Sequence, residues 1–334
     1  MTKPRHAVVG AVRRVLLEYP PRGLALVACS GGPDSIALAA AAADATGPDR
    51  IRVGALVVDH GLQDGSARVA RRAADTCTHL GLDPVVVVRT EVIGGGGPEA
   101  SARAARYRAL DTEAHRLGAV AVLLGHTADD QAETVLLALG RGSGARALAG
   151  MPERRDHYRR PLLDLPRSVV RAAYPDLPTW ADPHNADPRF GRSRVRQVVL
   201  PILEEQLGPG VAAALARSAG QVRAEVAAVD AWAQILYGQH VTGEASGQVR
   251  IDVRPLAGLP AAVVARVVIT AATAAGVPGG RLSTEHVTAL VALVAHWRGQ
   301  GPTNLPGGIV AARRSGTVVL TPAHVTSRPE PDKP

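Results

Sequence analysis

Ser30-Gly31-Gly32-Pro33-Asp34-Ser35 crowds two hydroxyls, a carboxylate and two glycines into one short segment. Glycines let a backbone pass close to a ligand, and a helix N-terminus offers N–H groups to an anion. Ser30 and Ser35 add hydroxyl donors, and Asp34 adds a carboxylate that could hold Mg²⁺ beside a phosphate. A tight turn capped by Asp or Ser needs fewer of these groups, so the segment reads as a phosphate site. The chain has no G-x-x-x-x-G-K-[ST] run, which excludes a Walker loop.

A second constellation is Gly125-His126-Thr127-Ala128-Asp129-Asp130-Gln131-Ala132-Glu133-Thr134. If a helix starts near Thr127, His126, Asp130 and Glu133 share a side, because i+3 and i+4 residues are helix neighbours. Such a group could bind a metal, a substrate ammonium or a proton in transit. Thr127 and Asp130 also resemble a capping box, which accounts for one acid but not for the others. Two arginine-bearing segments join these: Glu99 to Tyr107, with Arg103 and Arg106, and Phe190 to Arg196, with Arg192, Arg194 and Arg196 at every second position. The second fits polyanion contact at least as well as a charged surface helix.

The elements that must position these residues alternate along the first two hundred residues. Apolar, β-branched runs at Leu24–Ala28, Val53–Val58, Val85–Val88 and Val120–Leu124 are separated by alanine- and arginine-rich stretches. This pattern predicts an α/β fold, a doubly wound parallel sheet covered by helices on both faces. Ligands bind at the carboxyl ends of such strands, and here those ends are Ser30–Ser35, Asp59-His60-Gly61, Thr90–Pro98 and Gly125–Asp130. Gly94–Gly97 reads as a connector or a lid, and Pro98 suits the first position of a helix running to Leu117.

After Pro201 the texture changes. Val211–His240 reads as one long helix, Ala261–Ala275 and Ser283–Trp297 as further helices, and Ile309–Ala312 with Val318–Thr321 as a hairpin. The expectation is a catalytic domain over 1–205, a smaller, mostly helical domain over 206–325 and a disordered tail over 326–334.

Composition narrows the classes. With 334 residues and a 46% hydrophobic share the chain is globular, without a membrane-length apolar stretch or a signal-peptide core. Cys29 and Cys77 make no disulfide framework, and a cytoplasmic location is the default expectation. The net charge of +8 is carried by arginine, since Lys3 and Lys333 are the only lysines. Arginine forks suit phosphate and carboxylate. Aromatic residues at 3% argue against a broad base-stacking platform.

Together the segments resemble a known family. S-G-G-P-D-S is the signature of the N-type ATP pyrophosphatases, with an adenine nucleotide alpha-hydrolase-like, Rossmann-like sheet. The narrower resemblance is to the tRNA(Ile)-lysidine synthetases. Val58 to Leu62, Glu99 to Tyr107, and Leu124 to Leu137 followed by Arg141-Gly142-Ser143-Gly144 look like successive family segments. Arg160-Pro161-Leu162-Leu163, Trp180 to Asn185 and Phe190 to Arg196 are similar to the stretch closing the catalytic domain.

The resemblance implies ATP and Mg²⁺ as cofactors, and free L-lysine and the CAU-anticodon isoleucine tRNA as partners, with no membrane partner. A homodimer stays open. In the implied reaction ATP adenylates the C2 oxygen of the wobble cytidine and lysine then displaces AMP. By resemblance Ser30, Gly31, Gly32, Pro33, Asp34, Ser35 and His60 bind ATP, and Asp34 faces the metal. Asp34, Arg106 and His126 are catalytic, Asp130 and Glu133 hold the lysine, and Arg192, Arg194 and Arg196 meet tRNA or substrate. Two rival readings compete with it. A tRNA thiolase of the same superfamily needs positioned cysteines, and a non-catalytic nucleotide-binding module needs no His126, Asp130 and Glu133 cluster.

Overall fold

A computed structural model describes residues 2–47, 50–59, 61, 65–90, 98–180, 182, 187–243 and 247–322. His60, Gly94–Gly97, His184, Asn185 and the expected tail over 326–334 lie outside them. Cα packing divides the chain into two compact units, Met1–Arg223 and Ala224–Pro334. The sequence reading placed its boundary at 205/206 instead, where the texture changes.

The first unit runs α1 (Lys3–Leu16), β1 (Leu24–Ala28), α2 (Pro33–Ala45), β2 (Arg52–Asp59), α3 (Ser66–His79), β3 (Val85–Arg89), α4 (Pro98–Arg116), β4 (Ala121–Leu124) and α5 (Ala128–Leu139). It continues through α6 (Ala145–Leu148), the short strands β5 (Arg154–Arg155) and β6 (Tyr158–Arg159), α7 (Arg167–Ala172), α8 (Gly191–Arg194), a π-helical turn at Val195–Val199 and α9 (Leu200–Leu207). α10 (Val211–His240) begins in this unit.

The sheet order is β3-β2-β1-β4-β6-β5. Its pairs are parallel except the β5–β6 hairpin. Alternate residues of each strand feed two cores. Ala25 and Val27 of β1 pack with α1, α2, α3 and α7 residues on one face. Leu24 and Leu26 pack with Leu110 and Ala114 of α4 on the other. This is the doubly wound arrangement the continuous apolar strands require, with both faces covered at β1 and β4 and only the edge strand β3 leaving Val87 exposed. α2 is buried from Ser35 to Ala42, which explains its alanines: small side chains let it sit between the sheet and the helices around it. The strand order reverses beside β1. From there the chain steps outward to β2 and β3, then returns to place β4 on the other side. Ligands of open α/β sheets bind at such a switch point.

The second unit contains the rest of α10, β7 (Val241–Gly243), β8 (Val249–Asp252), α11 (Ala261–Ala274), α12 (Thr284–Ala295), β9 (Thr303–Leu305), β10 (Ile309–Arg314) and β11 (Thr317–Pro322). Here the expectation of a mostly helical domain is corrected. The unit is organised on a five-stranded antiparallel sheet, order β7-β8-β11-β10-β9. Ile251, Ala311, Val318 and Leu320 pack on it with Val264, Val268, Leu290 and Leu293 of α11 and α12. The hairpin expected at Ile309–Ala312 and Val318–Thr321 is present as the antiparallel β10–β11 pair. β7, β8 and β9 have at most four residues each, too few for a period of two to stand out in sequence. Among the described residues no single helix is long and apolar enough to cross a membrane.

Candidate active site

The loop after β1 and the loop after β4 lie side by side, because β1 and β4 pair in register with Ala28 opposite Leu124. Gly31 takes φ +80°, a left-handed turn that glycine adopts without strain. Gly125 is needed for a different reason: a Cβ there would meet the Asp34 carbonyl oxygen at 3.1 Å. The first turn of α2 therefore rests directly on the end of β4.

Within the loop, Ser35 Oγ donates to the Gly32 carbonyl at 2.9 Å and accepts from the Ser30 backbone N–H at 3.2 Å. Ser30 Oγ lies 3.2 Å from it. The Trp180 N–H donates to the Gly31 carbonyl at 2.9 Å, so the segment before α8 braces the turn. Pro33 opens α2 and Gly32 is its cap position, with no side chain capping the helix. Uncapped first-turn N–H groups at a strand end suit an anion.

Asp34 is not alone at that helix end. Arg171 Nε donates to its Oδ1 at 3.1 Å and Arg167 Nε lies 3.5 Å from Oδ2. Arg167 and Arg171 are four apart on α7 and so share a side. No cluster of three or more metal-ligating side chains occurs among the described residues. A lone carboxylate beside phosphates fits Mg²⁺ carried in by a nucleotide, which keeps several waters, and not a cage built from protein.

Asp130 and Glu133 are 8% and 0% exposed. Asp130 Oδ2 accepts from the Thr127 N–H at 2.8 Å and its hydroxyl at 2.9 Å, the capping box legible in the sequence. Its Oδ1 accepts from Arg167, Arg192 and Arg196, at 3.0, 3.2 and 3.0 Å. Capping and charge binding thus divide one carboxylate oxygen by oxygen. Glu133 accepts from Arg196 Nε at 2.6 Å, Arg192 Nε at 2.7 Å and Arg167 at 3.0 Å. Three guanidiniums therefore enclose two carboxylates. Asp129 lies at the margin of this set, accepting from the Arg167 backbone N–H at 2.7 Å, with the Arg167 guanidinium 3.9 Å from its other oxygen.

The arginine run resolves by geometry. Pro201 has no N–H for a helical bond, and the π turn just before it is one way a helix absorbs such a residue. Arg192 and Arg196, four apart, both reach inward to the acids. Arg194 points elsewhere, exposed and bonded to the Pro188 and Arg189 carbonyls. Arg106 is exposed on α4, with Asp182 among the charges near it.

His126 Nδ1 accepts from Arg160 Nε at 3.2 Å. Burial drives its pKa down to about 3, with Asp130 opposing and Arg160, Arg192 and Arg103 adding to the fall. For Asp130, burial pushes the pKa up, but Arg192, Arg167 and the Thr127 N–H outweigh it and bring it down to about 2. Glu133 is likewise lowered, with Arg196 and Arg192 overcoming burial.

The His126 and Asp130 shifts have one sign in linkage. Each group binds its proton more weakly when folded, so stability rises with pH wherever the unfolded chain is the more protonated. His126 contributes stability above about pH 6.5 that is lost as pH falls toward 3. Asp130 contributes above about pH 4, lost as pH falls toward 2. Denaturation midpoints between pH 2 and 8 should flatten in the upper window for His126→Gln and in the lower window for Asp130→Asn. Profiles parallel to wild type would remove both assignments.

Arg160, Arg167 and Arg171 received no role from the sequence. The signal was present in weak form: two buried acids must have cations, and Arg167 and Arg171 have helical spacing downstream. Nothing in the sequence shows that α7 returns to α2.

Comparison with known proteins places the chain. The PP-loop domain family matches residues 9–203. The tRNA(Ile)-lysidine synthase of Thermobifida fusca is 50% identical over 313 residues, covering 93% of this chain and 95% of that protein. The Salinispora arenicola protein of the same name is 49% identical, covering 96% and 97%. Among solved structures, the U34-tRNA thiolase NcsA of Methanococcus maripaludis superposes with a TM-score of 0.54 at 18% identity, over 65% of this chain and 77% of that one. At that identity the likeness speaks for the fold.

Proposed function

The chain belongs to the tRNA(Ile)-lysidine synthase family, and we propose that its switch-point crevice adenylates the wobble cytidine of the CAU-anticodon isoleucine tRNA and then joins it to lysine. One observation carries this reading. Arg167 spans from Asp34 on the phosphate loop to Asp130 and Glu133, so the nucleotide seat and the acidic pair form one site.

In the first half-reaction the C2 oxygen of cytidine attacks the α-phosphorus of ATP and pyrophosphate leaves. Ser30, Gly31, Gly32, Pro33 and Ser35 cradle the departing phosphates. Asp34 would hold a nucleotide-borne Mg²⁺, which would supply positive charge to the phosphates, and Arg167 and Arg171 beside it can meet the phosphate oxygens. Arg106 and His126 donate to the phosphate oxygens as charge develops there. In the second half-reaction the lysine ε-nitrogen, its ammonium proton first given up to water, bonds to C2 as the bond from C2 to the adenylate oxygen breaks, releasing AMP and passing the proton displaced on bonding to water. Asp130 and Glu133 take the lysine ammonium. Their lowered pKa values suit them to hold a cation, not to remove its proton. For the ammonium to enter, a guanidinium must leave the pair, and the lysine carboxylate offers it a new partner. Arg194 and the second unit contact the tRNA backbone.

Incubation with ATP, Mg²⁺, lysine and the CAU-anticodon tRNA should release AMP and pyrophosphate and add a lysyl mass to one cytidine, read by nucleoside mass analysis. Release of ADP, or a gain the size of sulfur, would overturn the reading. A thiolase reading is not favoured, because Cys29 and Cys77 are both buried.

A further inference from the structure

Arg160 follows β6, and the β4–β6 register sets Leu123 opposite Arg159. The residues just beyond these, His126 and Arg160, are thereby neighbours at adjacent strand ends. Arg160 is only 5% exposed. Its Nη1 is anchored on the Pro152 carbonyl at 2.8 Å and its backbone N–H on the Glu153 carbonyl at 2.9 Å. Among the described residues no carboxylate pairs with it. A guanidinium buried without an acid is costly, so its retention at this spot needs a reason beyond packing.

The bond to His126 supplies one. A guanidinium always carries its protons and can only donate. The imidazole nitrogen facing it must therefore be the unprotonated one, which leaves the proton on Nε2. We propose that Arg160 is a positioning residue that holds His126 as the neutral, Nε2-protonated tautomer, presenting an N–H donor to the reacting phosphate. The inference rests on the reading of His126 as a contact of the adenylate. It makes His126 a hydrogen-bond donor in adenylation and excludes it as the base that deprotonates lysine. The charged groups around the ring favour the same state: Arg160 beyond β6, Arg103 on α4 and Arg192 on α8 all oppose a second proton, and Asp130 on α5 is the one that favours it.

The test is nitrogen NMR of the full-length protein with ¹⁵N-labelled histidine, the His126 signals assigned by their loss in His126→Gln. Wild type should show an unprotonated Nδ1 and a protonated Nε2, unchanged from pH 5.5 to 8.5. Arg160→Met, which keeps bulk and removes the donor, should mix the two tautomers. It should lower kcat for tRNA-dependent pyrophosphate release roughly 10²-fold, the scale of losing one oriented donor, with little change in KM for ATP or lysine. Arg160→Lys retains a donor and should restore the wild-type spectrum and most of the rate. A protonated Nδ1 in wild type overturns the proposal without recourse to any variant, as does an Arg160→Met protein with the wild-type spectrum. The spectrum reads the tautomer whether or not lysidine forms, so failure of the functional reading and failure of this inference give different results.

Discussion

Asp34→Ala should lower tRNA-dependent pyrophosphate release by roughly 10²–10³-fold, the scale of removing one preorganised electrostatic contact, with the fold intact. The small structural cost follows from its position. The side chain is 21% exposed at the start of α2, where an acid contributes about 0.3–1 kcal/mol through the helix dipole. The two arginines make the effect on binding informative. With Asp34 gone, Arg167 and Arg171 lose a carboxylate partner beside the nucleotide seat, and both can turn to the phosphates. ATP affinity should hold or rise while the rate falls, a split that places Asp34 in the chemical step. The measurement is kcat and KM for ATP, with the urea midpoint as the control for folding. Near-normal pyrophosphate release would show that this carboxylate only complements the helix dipole and its two arginines.

β1, β2 and β4 were readable because each is a continuous apolar run in the buried part of the sheet, and β3 because its four valines are as continuous although Val87 is 43% exposed at the sheet edge, a pattern that survives without knowledge of partners. The glycine turn after β1 was readable for a local reason too, since its glycines and hydroxyls lie within one segment of chain. Reading failed where an element is short or where a partner comes from far away. β5 and β6 are two residues each and rich in arginine, so no periodicity marks them, yet β6 delivers Arg160. The acids on α5 were visible as acids, but their company was not. Arg167 and Arg192 lie far along the chain from Glu133, and only the return of α7 and α8 to the β4 end brings them in. Arg192, Arg194 and Arg196 show the limit most plainly. Their even spacing suggested one basic surface, while the helix through them turns Arg192 and Arg196 to the buried acids and leaves Arg194 exposed.

Glu133→Gln should destabilise the first unit by roughly 3–5 kcal/mol, the cost of breaking a buried ion pair from one side. Glu133 is fully buried and accepts from three guanidiniums. The substitution removes the charge and places an amide N–H₂ among donors. Asp130, itself shared among the same three arginines, cannot neutralise them alone. A double-mutant cycle isolates the cause. Adding Arg196→Met should recover part of the loss, with a coupling of about 0.5–3 kcal/mol, since the freed guanidinium is then absent. The same change should raise the lysine requirement of the surviving folded protein roughly 10- to 100-fold, the worth of a charge-assisted hydrogen bond. Urea midpoints report the first effect, and the KM for lysine at saturating ATP and tRNA reports the second. A Glu133→Gln protein of wild-type stability would mean that the arginines do not need this carboxylate. An unchanged lysine KM would mean that the acid holds the arginines in place and never meets the substrate ammonium.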